Sequence, residues 1–216
     1  MTPALPAGSV IAVLGAESTG KTALAQALAA RLQQRGVPTT WIGEYLREWC
    51  DREGRTPRPD EQAAIAREQT RRIADAAARG VVVADTTALM TAIYSDMLFD
   101  DRTLHADALV AQRGYAVTLL TALDLPWIAD GLQRNGPHVR EPVDARVRAA
   151  LTGAGLAFSV VHGTGDQRLA NAWNAIGRMG DVERDGGRGD WRWPCDKCSD
   201  PVCEHRLFSD LLARRP

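Results

Sequence analysis

The sequence predicts an α/β fold, in which a five-stranded parallel sheet is flanked by helices and followed by a short C-terminal tail with three cysteines. Continuous apolar runs at residues 9–14 and 81–85 are typical of strands that are covered on both faces. Segments with helical spacing of apolar residues separate successive strands, which is the pattern of repeated βαβ units. After about residue 178 the sequence becomes rich in glycine and charged residues and loses its apolar periodicity, which indicates that the core ends there.

The elements alternate along the chain in the order that this fold requires. The first strand ends at Gly15 and is followed by a segment rich in helix formers, and Pro59, Asp60 and Glu61 mark the start of a long helix. The predicted strands are residues 9–14, 37–43, 81–85, 115–121 and 157–161. The predicted helices are residues 22–35, 60–79, 87–98, 102–112, 141–152 and 166–178.

Composition and charge exclude several classes of protein. The chain has 216 residues, of which 45% are hydrophobic and 25% charged, as in an ordinary globular protein. Its formal net charge of -1 provides no overall positive field, so neither nucleic acid nor a membrane is an expected partner. No apolar stretch is long enough to span a bilayer, and no basic residue precedes Glu17 as a targeting signal would require. We therefore expect a cytoplasmic protein with a domain at 8–178, a glycine-rich linker at 179–194 and a tail at 195–216.

The strongest motif follows the first strand, where residues 15–22 fit the pattern G-x-x-x-x-G-K-S/T of a phosphate-binding loop. Glycines let backbone N–H groups wrap around a phosphate, and the N-terminus of the next helix adds its positive end. Lys21 would bridge the β- and γ-phosphates of a nucleotide, and the Thr22 hydroxyl would bind Mg²⁺. The candidate nucleotide-binding residues of the loop are Gly15, Glu17, Ser18, Thr19, Gly20, Lys21 and Thr22.

A second acid is expected at the end of a hydrophobic strand, and Asp85 ends the run VVVAD. We predict that it completes the Mg²⁺ shell; the alternative is an acid that merely caps the next helix. Thr86 follows it in place of the glutamate that many motor-type ATPases use to activate water, which disfavours hydrolysis. The N-K-x-D element of GTPases and the L-S-G-G-Q signature of transporter ATPases are also absent from the sequence.

Side chains for a phosphate acceptor are expected where the second strand ends. Glu44 could accept hydrogen bonds from ribose hydroxyls or act as a base, and Arg47 follows one helical turn later. Trp41 or Tyr45 could stack on a planar cationic ring. Alternatively, both aromatic residues belong to the core, and Glu44 forms a surface pair with Arg47.

Residues 130–140 carry two glycines and two arginines and are predicted to form a lid. Arg134 and Arg140 would then neutralise charge on the migrating phosphoryl group; an ordinary exposed loop would look similar. At the start of the last helix, Arg168 could pack on the base of the nucleotide. Alternatively, Asp166 caps that helix and Arg168 is solvated.

Four stretches can be compared together with known families. They are residues 15–22, the Glu44-Tyr45 pair with Trp41 and Arg47, residues 81–87, and residues 120–134 (LTALDLPWIADGLQR). In combination they resemble the ribosylnicotinamide kinase domain of NadR-type NAD-salvage proteins, which are P-loop NTPases, over roughly residues 8–178. The resemblance implies ATP-dependent phosphorylation of the 5′-hydroxyl of nicotinamide riboside or a similar nucleoside. By analogy with nucleoside and nucleotide kinases, the strand order would be 2-3-1-4-5.

The resemblance also implies roles for particular residues. Its ATP and Mg²⁺ roles fall on Lys21, Thr22 and Asp85, its riboside site on Glu44 and Tyr45, and its lid on Arg134. Either Glu44 or Asp85 could take the proton of the acceptor. The chain departs from the family in two places, because NadR-type proteins carry an adenylyltransferase domain before the kinase and lack the cysteine tail.

The tail carries a set of metal-binding side chains, Cys195, Cys198, Cys203 and His205. Three thiolates and an imidazole have the number and type of ligands of a structural Zn²⁺ site, which would give order to a segment without its own core. The alternatives are an iron–sulfur cluster, a redox-active cysteine pair, or a site in which the histidine takes no part. The tail could also contact a partner protein or a second copy of the chain. The alternative to a kinase is therefore an ATP-binding regulatory module whose zinc tail binds a partner.

Overall fold

The computed structural model describes residues 5–128 and 136–182, with side chains as far as residue 177. In this part of the chain, strands and helices alternate as the sequence predicts. The elements, in chain order, are β1 (Val10–Leu14), α1 (Lys21–Gln34), β2 (Thr39–Ile42), α2 (Tyr45–Glu53), α3 (Pro59–Ala77), β3 (Val81–Asp85), α4 (Ala88–Phe99), α5 (His105–Arg113), β4 (Val117–Thr121), a 3-10 turn (Pro137–Val139), α6 (Arg140–Gly153), β5 (Ser159–Val161) and α7 (Gly165–Val182).

The five strands form one parallel sheet in the order β2-β3-β1-β4-β5, which confirms the predicted topology. The central strand β1 pairs with β3 on one side and with β4 on the other. Along the chain, β2 and β3 lie on one side of β1, and β4 and β5 follow on the other side. The direction in which strands are added to the sheet therefore reverses beside β1. Ligands of open α/β sheets bind at such a switch point, beside the carboxyl ends of the strands.

Helices cover both faces of the sheet, and the side chains of β1 alternate between the two faces. Ile11 and Val13 pack with buried residues of α1 and α7, whereas Leu14 packs with buried residues of α4 and α6. All five residues of β1 are at most 4% exposed, as expected for a strand that is covered on both sides. This packing fixes the position of the loop that leaves the end of the strand.

Helix α2 is not among the predicted elements. Most of its nine residues are polar or charged, and only Trp49 and Cys50 are buried, in a cluster with Ile65 of α3. Gly54 ends the helix at φ 66°, a left-handed conformation that glycine adopts without a steric penalty. The helix therefore depends on packing against α3, which its own composition does not reveal.

The boundaries of several elements also differ from the prediction. Helix α7 continues to Val182, past the predicted end of the domain at residue 178. Arg140 is the first residue of α6, although the sequence analysis places it in a loop. Within the described residues, no helix is long and apolar enough to cross a membrane. The rest of the predicted linker and the cysteine tail lie outside the described residues.

Candidate functional site

The loop between β1 and α1 lies against the end of β4 and the residues that follow it, and two of its positions favour glycine. Gly15 has φ 147°, and a Cβ atom there would lie 2.0 Å from Thr121 Oγ1. Gly20 has φ 72°, and a Cβ atom there would lie 2.9 Å from Leu125 Cδ1. Backbone geometry therefore requires both glycines of the predicted phosphate-binding motif.

Hydroxyl and amine groups fasten the inside of this loop. Thr19 Oγ1 donates a hydrogen bond of 2.7 Å to Ala16 O, and Lys21 Nζ donates one of 2.8 Å to the same carbonyl. Thr121 Oγ1, at the end of β4, lies 2.7 Å from Thr19 Oγ1 and 3.1 Å from Leu14 O. Thr121 is not among the residues predicted from the sequence, where its signal is a polar residue at the end of an apolar strand. The Lys21 ammonium is held against the loop, where it can exchange a carbonyl for a phosphate oxygen.

The outer part of the loop contacts the chain that follows β4. Glu17 is buried, at 8% exposure. Ser18 has φ 53°, and its Oγ donates a hydrogen bond of 2.7 Å to Ile128 O. The predicted lid residue Arg134 comes shortly after Ile128 but lies outside the described residues. The loop is thus in contact with the segment that leads to the predicted lid.

Asp85 ends β3 beside the loop, because Val13 of β1 pairs with it in the sheet. Asp85 Oδ2 accepts a hydrogen bond of 2.5 Å from Thr22 Oγ1, while its Oδ1 is buried without a hydrogen-bond partner among the described residues. Burial raises the pKa of Asp85 to about 6 against the opposing effect of the Thr22 hydrogen bond. The charge of Glu44 raises this pKa further, and that of Lys21 lowers it.

The residues after Asp85 show that it does not cap the next helix. Thr87 is the N-cap of α4, and its Oγ1 accepts a hydrogen bond of 3.3 Å from Leu89 N, so the capping alternative for Asp85 is wrong. Thr86 is buried and has φ 69°, a conformation that costs a β-branched residue about 1 to 2 kcal/mol. Strain of this kind persists where the surrounding structure holds it, and it clusters at functional sites.

The Thr22 hydroxyl and the Asp85 carboxylate suit a magnesium ion. Mg²⁺ prefers oxygen ligands and usually keeps several waters beside one or two protein carboxylates. A buried carboxylate oxygen without a hydrogen-bond donor would be satisfied by such an ion. The residues present therefore fit Mg²⁺ together with the phosphates of a nucleotide. Across the described ranges, there is no site in which three or more His, Cys, Asp or Glu side chains lie together so that they could hold a metal ion by themselves.

Glu44 lies just before α2, and its charge is near enough to Asp85 to raise the pKa of that carboxyl. Arg47 Nε lies 3.5 Å from Glu44 Oε2, so the two residues do form the i,i+3 pair that the alternative interpretation expects. The Glu44 side chain is only 12% exposed, however, and so it is not a surface residue. Trp41 is 38% exposed and does not belong to the core.

Helix α3 holds the segment that carries Glu44. Gln69 is 2% exposed, and its Oε1 accepts a hydrogen bond of 2.7 Å from Tyr45 N. Its Nε2 donates one of 3.3 Å to Gly43 O, so the two bonds lie on either side of Glu44. The Arg72 guanidinium lies 4.3 Å from the centre of the Tyr45 ring and occupies one face of it. Gln69 is not among the residues predicted from the sequence, where its signal is a glutamine within the buried stripe of α3.

Arg140 is 8% exposed in the first turn of α6. Its Nε and Nη2 atoms have no hydrogen-bond partner among the described residues. Leaving buried guanidinium N–H groups unpaired is costly, and the N-terminus of α6 adds positive potential at the same place. The expectation that Arg140 belongs to a lid loop is therefore corrected, because a helix holds it. An anionic ligand would satisfy both the side chain and the helix.

The alternative that Arg168 is solvated does not match its position. Its side chain is 4% exposed and so is not solvated. The guanidinium donates hydrogen bonds of 2.8 Å to Thr19 O and to Asp124 Oδ1, so its donors point at the protein. The predicted zinc ligands of the tail, Cys195, Cys198, Cys203 and His205, lie outside the described residues.

The fold is shared with two solved structures of NadR protein. One, in complex with NR, has a TM-score of 0.64 at 20% sequence identity and covers 85% of this chain and 52% of that chain. The other, in complex with NAD and AMP-PNP, has a TM-score of 0.62 at 18% identity and covers 86% of this chain and 51% of that chain. This chain thus spans about half the length of those proteins. The resemblance to NadR-type P-loop domains is confirmed, and at such identity the structural likeness concerns the fold.

No curated protein matches the chain. A family described as AAA domain (AAA_28) matches residues 10–168. This range begins with β1 and includes the phosphate-binding loop, Glu44, Asp85 and Arg140, so it contains the described part of the site. Because the match covers most of the sequence, the chain belongs to this family of AAA domains.

Proposed function

We propose that this protein is a P-loop kinase that transfers the γ-phosphoryl group of ATP to the 5′-hydroxyl of nicotinamide riboside or a similar nucleoside. The observation that carries the proposal is that three charged residues lie at the carboxyl ends of neighbouring strands, at one edge of the sheet. Lys21 follows β1, Asp85 ends β3 and Glu44 follows β2. The complexes of NadR protein with NR and with NAD and AMP-PNP support an acceptor of the nucleoside class.

The order of the strands favours transfer over hydrolysis. β3 lies between β1 and β2, so Asp85 separates the phosphate-binding loop from Glu44. A nucleotide bound at the loop would place its γ-phosphate near Asp85, and an acceptor bound over β2 would approach from the side of Glu44. A glutamate directly after Asp85, which would serve an attacking water, is replaced by Thr86. The acid in this cleft therefore lies on the side where an acceptor hydroxyl would enter.

In the proposed reaction, backbone amides of the loop and the Lys21 ammonium bind the phosphates of ATP. Thr22 and Asp85 would hold Mg²⁺, which when bound offsets the negative charge of the β- and γ-phosphates. The acceptor oxygen forms a bond to the γ-phosphorus while the bond from that phosphorus to the β,γ-bridging oxygen breaks, and ADP leaves. The proton of the acceptor hydroxyl passes to the Glu44 carboxylate, because the Asp85 carboxylate is engaged with Thr22.

Arginines would stabilise the charge that spreads over the transferred group. Arg140 is buried on α6 and so would be in place before ATP binds. Arg134 is proposed to join it from the lid. Trp41, Tyr45 and Arg47 are the further candidates for contact with the acceptor. Of these, the exposed Trp41 ring is the one best placed to stack on a planar ring.

The test is ADP release from MgATP with nicotinamide riboside and a panel of nucleosides as acceptors. Mass spectrometry should find one added phosphoryl group on at least one of them. Lys21→Ala should abolish the activity, and Glu44→Gln should lower kcat by roughly 10²- to 10⁴-fold with little change in the KM of ATP. Arg79→Ala is the matched control, because Arg79 is exposed just before β3, at the opposite edge of the sheet.

If ATP binds but no acceptor raises ADP release, the kinase proposal is wrong. The ATP-binding regulatory module then becomes the better interpretation, and the cysteine tail is the segment to test for a partner or for self-association. Activity that survives Glu44→Gln unchanged would refute the role of Glu44 but not the transfer itself.

We further propose that the tail binds a structural zinc ion through Cys195, Cys198, Cys203 and His205. The support is the number and chemical type of these ligands within a short segment. Metal analysis of the purified full chain should find one zinc per chain, and Cys198→Ser should lower that ratio. Iron in place of zinc would favour the cluster alternative, and the absence of any metal would refute the site.

A further inference from the structure

A single buried arginine joins three loops at the carboxyl edge of the sheet. Arg168 Nη2 donates a hydrogen bond of 2.8 Å to Thr19 O of the phosphate-binding loop and a longer one of 3.4 Å to Ala122 O after β4. Arg168 Nη1 donates bonds of 2.7 Å to Gly163 O after β5 and of 2.8 Å to Asp124 Oδ1. The guanidinium therefore connects the loops after β1, β4 and β5.

Asp124 completes this arrangement. Its Oδ1 pairs with Arg168, and its Oδ2 accepts a hydrogen bond of 2.6 Å from Gly163 N. The carboxylate thus neutralises the buried guanidinium and fixes the loop after β5 at the same time. The pair is buried on the arginine side and 31% exposed on the carboxylate side, and both Nη atoms of Arg168 have acceptors, whereas its Nε has none among the described residues.

The hydrogen bond from Arg168 to Thr19 O also affects the side of the loop that faces the ligand, because it constrains the peptide group between Thr19 and Gly20. The peptide between Thr19 and Gly20 is trans, so its carbonyl and its N–H point in opposite directions within one plane. Arg168 holds Thr19 O, and thereby holds Gly20 N–H on the opposite side. A hydrogen bond to the carbonyl from a charged donor also polarises the amide and strengthens its N–H as a donor. Gly20 N–H is one of the amides of a motif whose successive N–H groups bind phosphates.

We propose that Arg168, held by Asp124, is a positioning residue that orients the Thr19–Gly20 peptide for nucleotide phosphates. It acts on the phosphates through the loop and makes no contact with the base. The inference rests on the proposed function only in taking nucleotide phosphates as the ligand of the loop. It does not depend on the acceptor or on catalysis.

The test compares two ligands of the full-length protein by isothermal titration calorimetry. MgADP has a base and phosphates, whereas magnesium tripolyphosphate has phosphates alone. In Arg168→Met both affinities should fall by the same factor, roughly tenfold or more, because a hydrogen bond from a charged group is lost. Arg168→Lys should lose less, since one ammonium can keep part of the contacts. Arg148→Met is the control, because Arg148 forms a similar pair of 2.7 Å with Asp144 on α6.

Each outcome decides the proposal. Equal losses for the two ligands, with Arg168→Lys in between, support it. A loss for MgADP alone would mean that Arg168 contacts the base, and unchanged affinities with a lower Tm would mean that the pair is only structural; either result overturns it. If the arginine variants do not fold, Asp124→Asn is a second variant, because its side-chain oxygen can still accept the hydrogen bond from Gly163 N. It should lower the affinity for both ligands. Because these titrations contain no phosphate acceptor, they can be interpreted even if the protein has no kinase activity.

Discussion

Asparagine in place of Asp85 should make the protein more stable and remove its proposed function. Burial raises the pKa of Asp85 from 3.8 to about 6, so folding disfavours its ionised form. A shift of about two pKa units corresponds to about 3 kcal/mol of unfolding free energy at pH 8, at about 1.4 kcal/mol per unit. Asparagine carries no charge, and its side-chain oxygen can still accept the hydrogen bond from Thr22 Oγ1.

The effect depends on pH in a defined direction. Because the pKa of Asp85 is raised by folding, the folded protein binds this proton more tightly than the unfolded chain does. The resulting stabilisation is present in full below pH 3.8 and is lost as the pH rises through 6. Relative to the wild type, Asp85→Asn should therefore gain about 3 kcal/mol at pH 8 and only about 1.5 kcal/mol at pH 5.

The assay is urea unfolding of both proteins at pH 8 and pH 5, with a chelator present so that no metal stabilises the carboxylate. Asp51→Asn, an exposed substitution on α2, is the control and should change stability by less than about 0.5 kcal/mol at either pH. Calorimetry with MgADP should show that Asp85→Asn binds the nucleotide poorly. Equal stability of wild type and variant at pH 8, or a difference that does not change with pH, would refute the reasoning.

Three further predictions concern the cleft and the loop. Glu44→Gln removes a charge that raises the pKa of Asp85, so the acidic limb of kcat/KM for ATP should move below about pH 6; an unmoved limb contradicts this. Gly15→Ala should abolish MgADP binding in calorimetry because its Cβ would lie 2.0 Å from a β4 hydroxyl, whereas Gly36→Ala, with no atom within 4 Å, should retain it. Gln69→Leu should raise the KM of the acceptor more than that of ATP, because it releases the segment that carries Glu44; equal increases would contradict this.

The sequence predicts the middle of the sheet better than its edges. β1 and β3 are buried throughout, so their apolar runs are visible and their bounds nearly match the prediction. β2 and β5 are edge strands of four and three residues. Their ends are set by where pairing with β3 and β4 stops, so the predicted ranges 37–43 and 157–161 are too long.

The same distinction separates the predicted from the missed residues of the site. The phosphate-binding loop and Asp85 follow from local patterns, because a strand, a turn and a helix start specify them within a few positions. Gln69 and Thr121, which the sequence does not predict, act on residues 24 and 102 positions away, and the partner of the predicted Arg168 in the phosphate-binding loop lies 149 positions away. Only the packed sheet brings these partners together, so the sequence shows at most that a polar residue occupies an otherwise buried position.

Two buried charges of opposite sign explain why this site would select a metal–nucleotide complex. Asp85 Oδ1 and the Nε and Nη2 atoms of Arg140 have no hydrogen-bond partners within the described residues, so these atoms do not satisfy each other. Each of these unpaired buried atoms costs stability, although Thr22 and the charge of Lys21 partly compensate the Asp85 carboxylate. A free metal would satisfy the carboxylate and a free nucleotide the guanidinium, whereas magnesium nucleotide satisfies both. Because each component then improves the electrostatic environment of the other, Mg²⁺ and nucleotide should bind with positive coupling, and this coupling should disappear when Asp85 is neutralised.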